Sequence, residues 1–146
     1  MSEASRSGNE LVIECRPLVE GVAEGPALVS REPISFYGGV DPDTGVVRER
    51  GHPLEGESVA GRVLVFPYGK GSTVGSYVIL ELARRGCAPR AIVNVESEQI
   101  VIIGCLLAGI PLVDRPKADV LELVENGSLV KVVSERRRAY LVVRER

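Results

Sequence analysis

The run Arg62–Phe66, RVLVF, is the feature that most constrains the fold. Four apolar residues in succession, stopped by Pro67, cannot turn one face to water. They call for burial on both faces, as in a parallel strand covered by helices. The next residues agree. Tyr68–Gly71 reads as a loop. Ser72-Thr73 stands where a helix cap belongs, ahead of Val74, Val78, Ile79 and Leu82, which fall on one helical face. Arg84 and Arg85 suit the last turn, and Gly86 ends it. Ala91–Val95 then reads as a second buried strand and Ile110–Val113 as a third. Between them Glu98–Ala108 reads as a helix, nearly all apolar and therefore mostly buried. Two consecutive strand–helix–strand units imply right-handed crossovers and a parallel sheet.

The flanking segments are of another kind. Met1–Asn9 is polar and rich in Ser, and is expected to be a disordered leader ahead of the domain, residues 10–146. Leu11–Cys15 suits a short strand. From Gly21 to Gly61 the chain is crowded with Gly and Pro around short apolar pieces, which predicts short strands joined by tight turns and no long helix. Ala118–Glu125 has room for one or two helical turns. Asn126-Gly127 is a turn pair, and Leu129–Val133 with Ala139–Val143 read as an antiparallel pair around a charged, solvated Glu135–Arg138. The expected architecture is one α/β domain, with a central parallel sheet, two or more helices and small antiparallel strands from both ends. The length of 146 residues suits that.

Charge and cysteine usage exclude several classes. Eighteen Lys and Arg against twenty Asp and Glu give a net charge of −2, with no basic surplus for a sequence-independent nucleic-acid binder. Four Tyr, two Phe and no Trp leave few platforms for stacking bases. Cys15, Cys87 and Cys105 are odd in number and far apart, which argues against a disulfide framework and for a reducing cytoplasm. With the single His52 they make no recognisable metal or cluster pattern, and Cys87 and Cys105 read as small buried hydrophobes. No apolar core of a signal peptide is present in Met1–Asn9. The longest apolar stretch, Ile100–Val113, is interrupted by Gly104, Gly109 and Pro111 and is too short for a bilayer. No membrane association is expected.

The stretch Gly69–Ser76, GKGSTVGS, gathers the chemistry: glycines, hydroxyls and one ammonium between a buried strand and a helix N-terminus, where an anion is favoured. A plain tight turn with a cap is the simpler reading of its position. Two nucleotide motifs fail. A phosphate-binding loop needs Ser or Thr directly after the Lys, and here Gly71 follows Lys70. The dinucleotide fingerprint needs Gly at position 74, where Val74 stands, although Glu96 is placed to meet a ribose. A nucleotide-binding module is thus the second reading. His52 is a candidate base but reads better as a hydrogen-bonded structural group. Asp41 and Asp43 miss the calcium-loop spacing and fit Asx turns, and Arg136–Arg138 fits a solvated loop.

Four longer strings then become recognisable. They are Ala27–Gly45 (ALVSREPISFYGGVDPDTG), His52–Gly61 (HPLEGESVAG) with Phe66–Ser76 (FPYGKGSTVGS), and Ile110–Asp114 (IPLVD). Together they resemble the aconitase X small subunit, the swivelling-domain family, over about residues 21–114. The resemblance implies a swivelling β/β/α fold and a heterodimer with a large subunit that binds a 4Fe-4S iron–sulfur cluster. A freestanding chain is most similar to the archaeal branch that dehydrates (R)-5-phosphomevalonate to trans-anhydromevalonate 5-phosphate in isoprenoid synthesis. A related branch dehydrates cis-3-hydroxy-L-proline. The family pattern places the proton acceptor on Ser72 and substrate contacts on Lys70, Gly71, Thr73 and Gly39, with no metal ligand in this chain. The chemistry is consistent. Dehydrating a β-hydroxy acid needs a base for the α-proton and a Lewis acid for the departing hydroxyl. A serine serves as base only if its alkoxide is stabilised, which a helix N-terminus and a nearby Lys70 offer.

Overall fold

Val63–Phe66, Ala91–Asn94 and Leu112–Asp114 are buried at every position, as strands covered on both faces must be. The computed structural model describes residues 4–144. In chain order the elements are strands β1 (Ala4–Ser7), β2 (Glu10–Val19), β3 (Gly21–Val29) and β4 (Ile34–Ser35), the short turn α1 (Phe36–Gly39), β5 (Val63–Phe66), β6 (Gly69–Lys70), helix α2 (Gly75–Arg84), β7 (Ala91–Asn94), helix α3 (Gln99–Ala108), β8 (Leu112–Asp114), the turn α4 (Val120–Leu123), and strands β9 (Leu129–Ser134) and β10 (Ala139–Arg144). Eight strands form one sheet in the order β1-β2-β10-β9-β3-β5-β7-β8, and β8 also pairs with β2, so the sheet closes on itself. The run β3-β5-β7-β8 is parallel and the remaining pairings are antiparallel.

β2 makes the closure by serving two partners in turn. Glu10–Cys15 pair with β10, and Arg16–Val19 pair with β8. The register shifts between Pro17 and Val19, where proline's missing N–H breaks the ladder. Side chains alternate between two cores. Val63, Val65, Ala91, Val93 and Val113 point into the ring with Ile13, Val130 and Leu141. Leu64, Phe66, Ile92 and Leu112 point outward beneath Ile79, Leu82, Val101 and Cys105 of the helices. α2 and α3 approach closely because residue 104 is glycine. A Cβ there would lie 2.7 Å from Ile79 Cδ1 and 3.2 Å from the Ser76 carbonyl oxygen.

Several sequence bounds change. The leader expected to be disordered over 1–9 contributes a strand: Ala4–Ser7 pair with Glu10–Ile13 of β2 around Gly8 at φ +60°, and Met1–Glu3 lie outside the described residues. The strand expected at Leu11–Cys15 runs to Val19, and Gly21–Val29 is a nine-residue strand rather than a short piece. α2 begins at Gly75, so Ser72-Thr73 precede it and do not cap it, and Val74 is 44% exposed rather than on the buried face. Its C-terminus is as expected. Gly86 takes φ +73°, and the N–H groups of Gly86 and Cys87 close on the carbonyls of Ala83 and Leu82. α3 is the largest departure. Only Val101, Gly104 and Cys105 are buried, while Ile103, Leu106 and Leu107 are about half exposed.

Candidate functional site

The loop after β5 is held in place by a second, two-stranded sheet. β4 pairs in parallel with β6, Ile34 opposite Gly69 and Ser35 opposite Lys70. The chain then turns at Gly71, φ +91°, a conformation open to glycine, and a Cβ there would sit 2.6 Å from Ser35 Oγ. Ser35 Oγ itself donates to the Tyr37 carbonyl at 3.0 Å. Gly39 packs on the same residue: its Cβ position lies 3.5 Å from Ser35 Cβ and 3.4 Å from Glu49 Oε1. The Gly39 carbonyl accepts from the Arg48 N–H at 2.8 Å. The fold therefore brings Gly39, Lys70, Gly71 and Ser72 to one place.

Ser72 is exposed, and its Oγ accepts a hydrogen bond from the Val74 N–H at 3.1 Å. The N–H groups of Gly75, Ser76 and Tyr77 bond back to the carbonyls of Ser72, Thr73 and Val74. The donor aimed at Ser72 Oγ thus belongs to the loop, one residue short of α2, and to a local Ser turn. The Lys70 Nζ donates to Glu49 Oε2 at 3.3 Å, with both groups partly exposed. Thr73, next to Ser72, lines a cleft of about 240 Å³ between α2 and α3 with Val74, Tyr77, Gln99, Ile100 and Ile103. Sequence reading missed Ser35 and Glu49. Ser35 lies within the Ala27–Gly45 string without any mark of its own and Glu49 lies in none of the strings; they reach the loop through the β4–β6 pairing and the turn after Val47.

The remaining candidates resolve as structure. His52 is buried. Its Nδ1 accepts from the Leu54 N–H at 3.0 Å, so Nε2 carries the hydrogen and donates to the Pro33 carbonyl at 3.0 Å. Both ring nitrogens are thereby occupied. Asp41 Oδ1 accepts from the Asp43 N–H at 2.9 Å, the expected Asx turn. Glu96 is taken by Arg115. Glu135–Arg138 are exposed.

The cysteines do not suit an iron–sulfur cluster. They lie on β2, after α2 and within α3, and among the described residues no three Cys, His, Asp or Glu side chains group as metal ligands. Their thiols are also poor donors. Burial pushes Cys15 up to about 12, drives Cys105 higher still, and raises Cys87. Cys15 and Cys105 therefore stay neutral in the folded chain at pH values where unfolded thiols ionise. The stability this contributes is complete below pH 9 and is lost as pH rises toward 12, since the unfolded state then binds fewer protons. Urea denaturation repeated from pH 7 to pH 11 checks it. The midpoint is expected to fall above pH 9, and to fall less in a Cys105→Ala variant.

The fold and the site together define a closed mixed sheet with two helices on one flank, presenting a serine-bearing glycine loop at the end of a parallel strand. The aconitase X swivel domain model matches residues 12–141, and the chain belongs to that family. It is 53% identical over 131 residues to the phosphomevalonate dehydratase small subunit of Methanothrix thermoacetophila, covering 90% of this chain and 93% of that protein. With the protein of the same name from Pyrococcus furiosus it shares 50% over 121 residues, 83% of this chain and 88% of the relative. Its fold is similar to that of Thermococcus kodakaraensis aconitase X in the holo-form, with a TM-score of 0.82 at 45% identity, covering 89% of this chain and 97% of that one. Among the described residues no helix is long and apolar enough to cross a membrane.

Proposed function

We propose that this chain is the small subunit of a hydro-lyase that dehydrates (R)-5-phosphomevalonate, and that it supplies the serine base. Relatives about half identical over most of both chains carry that name, which favours the phosphorylated substrate over cis-3-hydroxy-L-proline and over a nucleotide. The observation that carries the reading is the hydrogen bond at Ser72. Its Oγ accepts from the Val74 N–H, so the bond strengthens as negative charge develops on that oxygen. An exposed hydroxyl held this way is suited to act as an alkoxide.

In the proposed step Ser72 Oγ takes the proton from the carbon beside the substrate carboxylate. The C–H electron pair becomes the new C=C bond as the hydroxyl on the neighbouring carbon leaves with the C–O electron pair, takes a proton from solvent and departs as water. Lys70, Gly71, Thr73 and Gly39 bind the substrate around that oxygen. The 4Fe-4S cluster, which the donors of this chain do not fit, belongs in this reading to the large subunit of a heterodimer. Co-expression with the large subunit tests it. The two chains are expected to elute together from gel filtration and to consume phosphomevalonate, while the isolated chain is colourless and inactive. A brown isolated chain with a stoichiometric cluster, or a pair that turns over only cis-3-hydroxy-L-proline, would overturn it.

A further inference from the structure

We infer that Glu49 is a positioning residue for the reaction, holding Lys70 at the Ser72 loop; the inference rests on the proposed dehydratase reading. Lysine is a point charge on a flexible four-carbon stem, so an unpartnered one samples many positions. Lys70 is 43% exposed and on the surface of its loop, yet its Nζ is tied to Glu49 Oε2 at 3.3 Å. The backbone around Glu49 is held on both sides, and its carboxylate packs on Gly39. Its other oxygen lies against Gly39, 3.4 Å from where a Cβ would stand. The preceding residue is bonded through the Arg48 N–H to the Gly39 carbonyl. The following turn closes through the His52 N–H on the Glu49 carbonyl at 3.2 Å, and His52 is the buried ring anchored at both nitrogens.

The anchoring therefore runs from a buried histidine to an ordered turn, to a carboxylate, to the lysine beside the base. An exposed ion pair of this kind adds little to stability. Its geometry also spans Gly39 and Lys70, two of the groups proposed to meet substrate. A carboxylate placed to orient a binding lysine accounts for all of these features, whereas a surface salt bridge placed for stability accounts for none of them.

The test is a double-mutant cycle on the reconstituted two-subunit enzyme with Glu49→Ala, Lys70→Ala and both together, assayed on phosphomevalonate and on cis-3-hydroxy-L-proline. Glu49→Ala is expected to lower kcat/KM by about 10- to 100-fold, the size that follows from misplacing a site group by about an ångström, with an unchanged melting temperature. Glu49→Gln, which keeps an acceptor oxygen for the lysine, is expected to recover part of the loss. In the Lys70→Ala background Glu49→Ala should add less than about twofold, because the group it positions is gone. A full, multiplicative effect in that background, or no effect of Glu49→Ala where Lys70→Ala is impaired, overturns the inference and leaves the dehydratase reading standing. A Lys70→Ala enzyme as active as the wild type overturns it too. A wild-type pair inactive on both acids overturns the reading and the inference with it.

Discussion

Ser72→Ala is expected to lower turnover of the two-subunit enzyme by about 10²–10⁴-fold, the range for loss of a positioned general base, while the small subunit stays folded and paired. The separation of the two effects follows from where Ser72 sits. It precedes α2 rather than capping it, is exposed, and its side chain makes one hydrogen bond among the described residues, from the Val74 N–H. Losing that bond at the surface costs about 1 kcal/mol or less. Ser76, one turn further on, behaves in the opposite way. It is buried and donates to the Ile100 carbonyl at 2.7 Å, tying α2 to α3. Ser76→Ala should lower stability by about 1 kcal/mol, the net worth of such a bond, and leave turnover within a few-fold. Thermal melts and steady-state kinetics of both variants decide the matter. Should Ser72→Ala keep more than about a tenth of wild-type turnover, well inside the expected loss, the base lies elsewhere. His52, the alternative by residue type, is a poor successor, since both of its ring nitrogens are engaged with the backbone.

How much of this was legible in the sequence depends on whether the signal is local. β5, β7 and the two helices could be read directly, because a strand buried on both faces leaves consecutive apolar residues, Val63–Phe66 and Ala91–Val93, and a helix end leaves its glycine, as at Gly86. The closure of the sheet could not. It depends on β2 changing partner at Pro17, where Arg16 comes to lie opposite Asp114, 98 residues on. Nothing near residue 16 announces that. The overestimate of burial on α3 has a different cause. An apolar composition predicts burial on all sides, but the helix has one neighbouring helix and one sheet beneath it, so Ile103, Leu106 and Leu107 are left facing out.

The site divides along the same line. Lys70, Gly71, Ser72 and Thr73 are consecutive, so a single string shows them. Gly39 could be attached only through the family resemblance, and the fold gives the physical link: Gly39 and Gly71 both pack on Ser35, which the β4–β6 pairing carries to the loop. Glu49 carries no such mark, being one acid in a run of alternating charges, Arg48-Glu49-Arg50. Its role emerges from a distance of 3.3 Å to a residue 21 positions away. The expected helix cap at Ser72-Thr73 shows the converse limit. Residue types suited to a cap are equally suited to a Ser turn, and composition alone does not distinguish them.

Arg16→Met is expected to destabilise the chain by about 3 kcal/mol, toward the lower end for breaking a buried ion pair because the arginine is itself partly exposed. Asp114 is completely buried. Arg16 Nε and a terminal guanidinium nitrogen reach its two oxygens at 2.8 and 2.9 Å, and the Ser97 N–H adds a third bond at 2.8 Å. The Asp114 carboxylate, hydrogen-bonded to it, in turn holds the guanidinium protonated above its usual range. Met keeps the apolar stem and removes the charge, which leaves a buried carboxylate with one N–H partner. Adding Asp114→Asn to Arg16→Met removes that uncompensated charge and should recover most of the loss. Urea midpoints at constant slope measure both. A single variant within about 1 kcal/mol of wild type, against the several expected for a stranded buried charge, would mean that the pair does not close the sheet. The consequence reaches the site. Ser97 Oγ donates to Asn94 Oδ1, Asn94 Nδ2 donates to the Phe66 carbonyl, and the Val95 and Glu96 N–H groups both donate to the Pro67 carbonyl. The carboxylate that Arg16 neutralises is thus the root of the network that braces the end of β5, from which the Ser72 loop departs. A loss of Arg16 is expected to lower activity more than its effect on the folded fraction alone would.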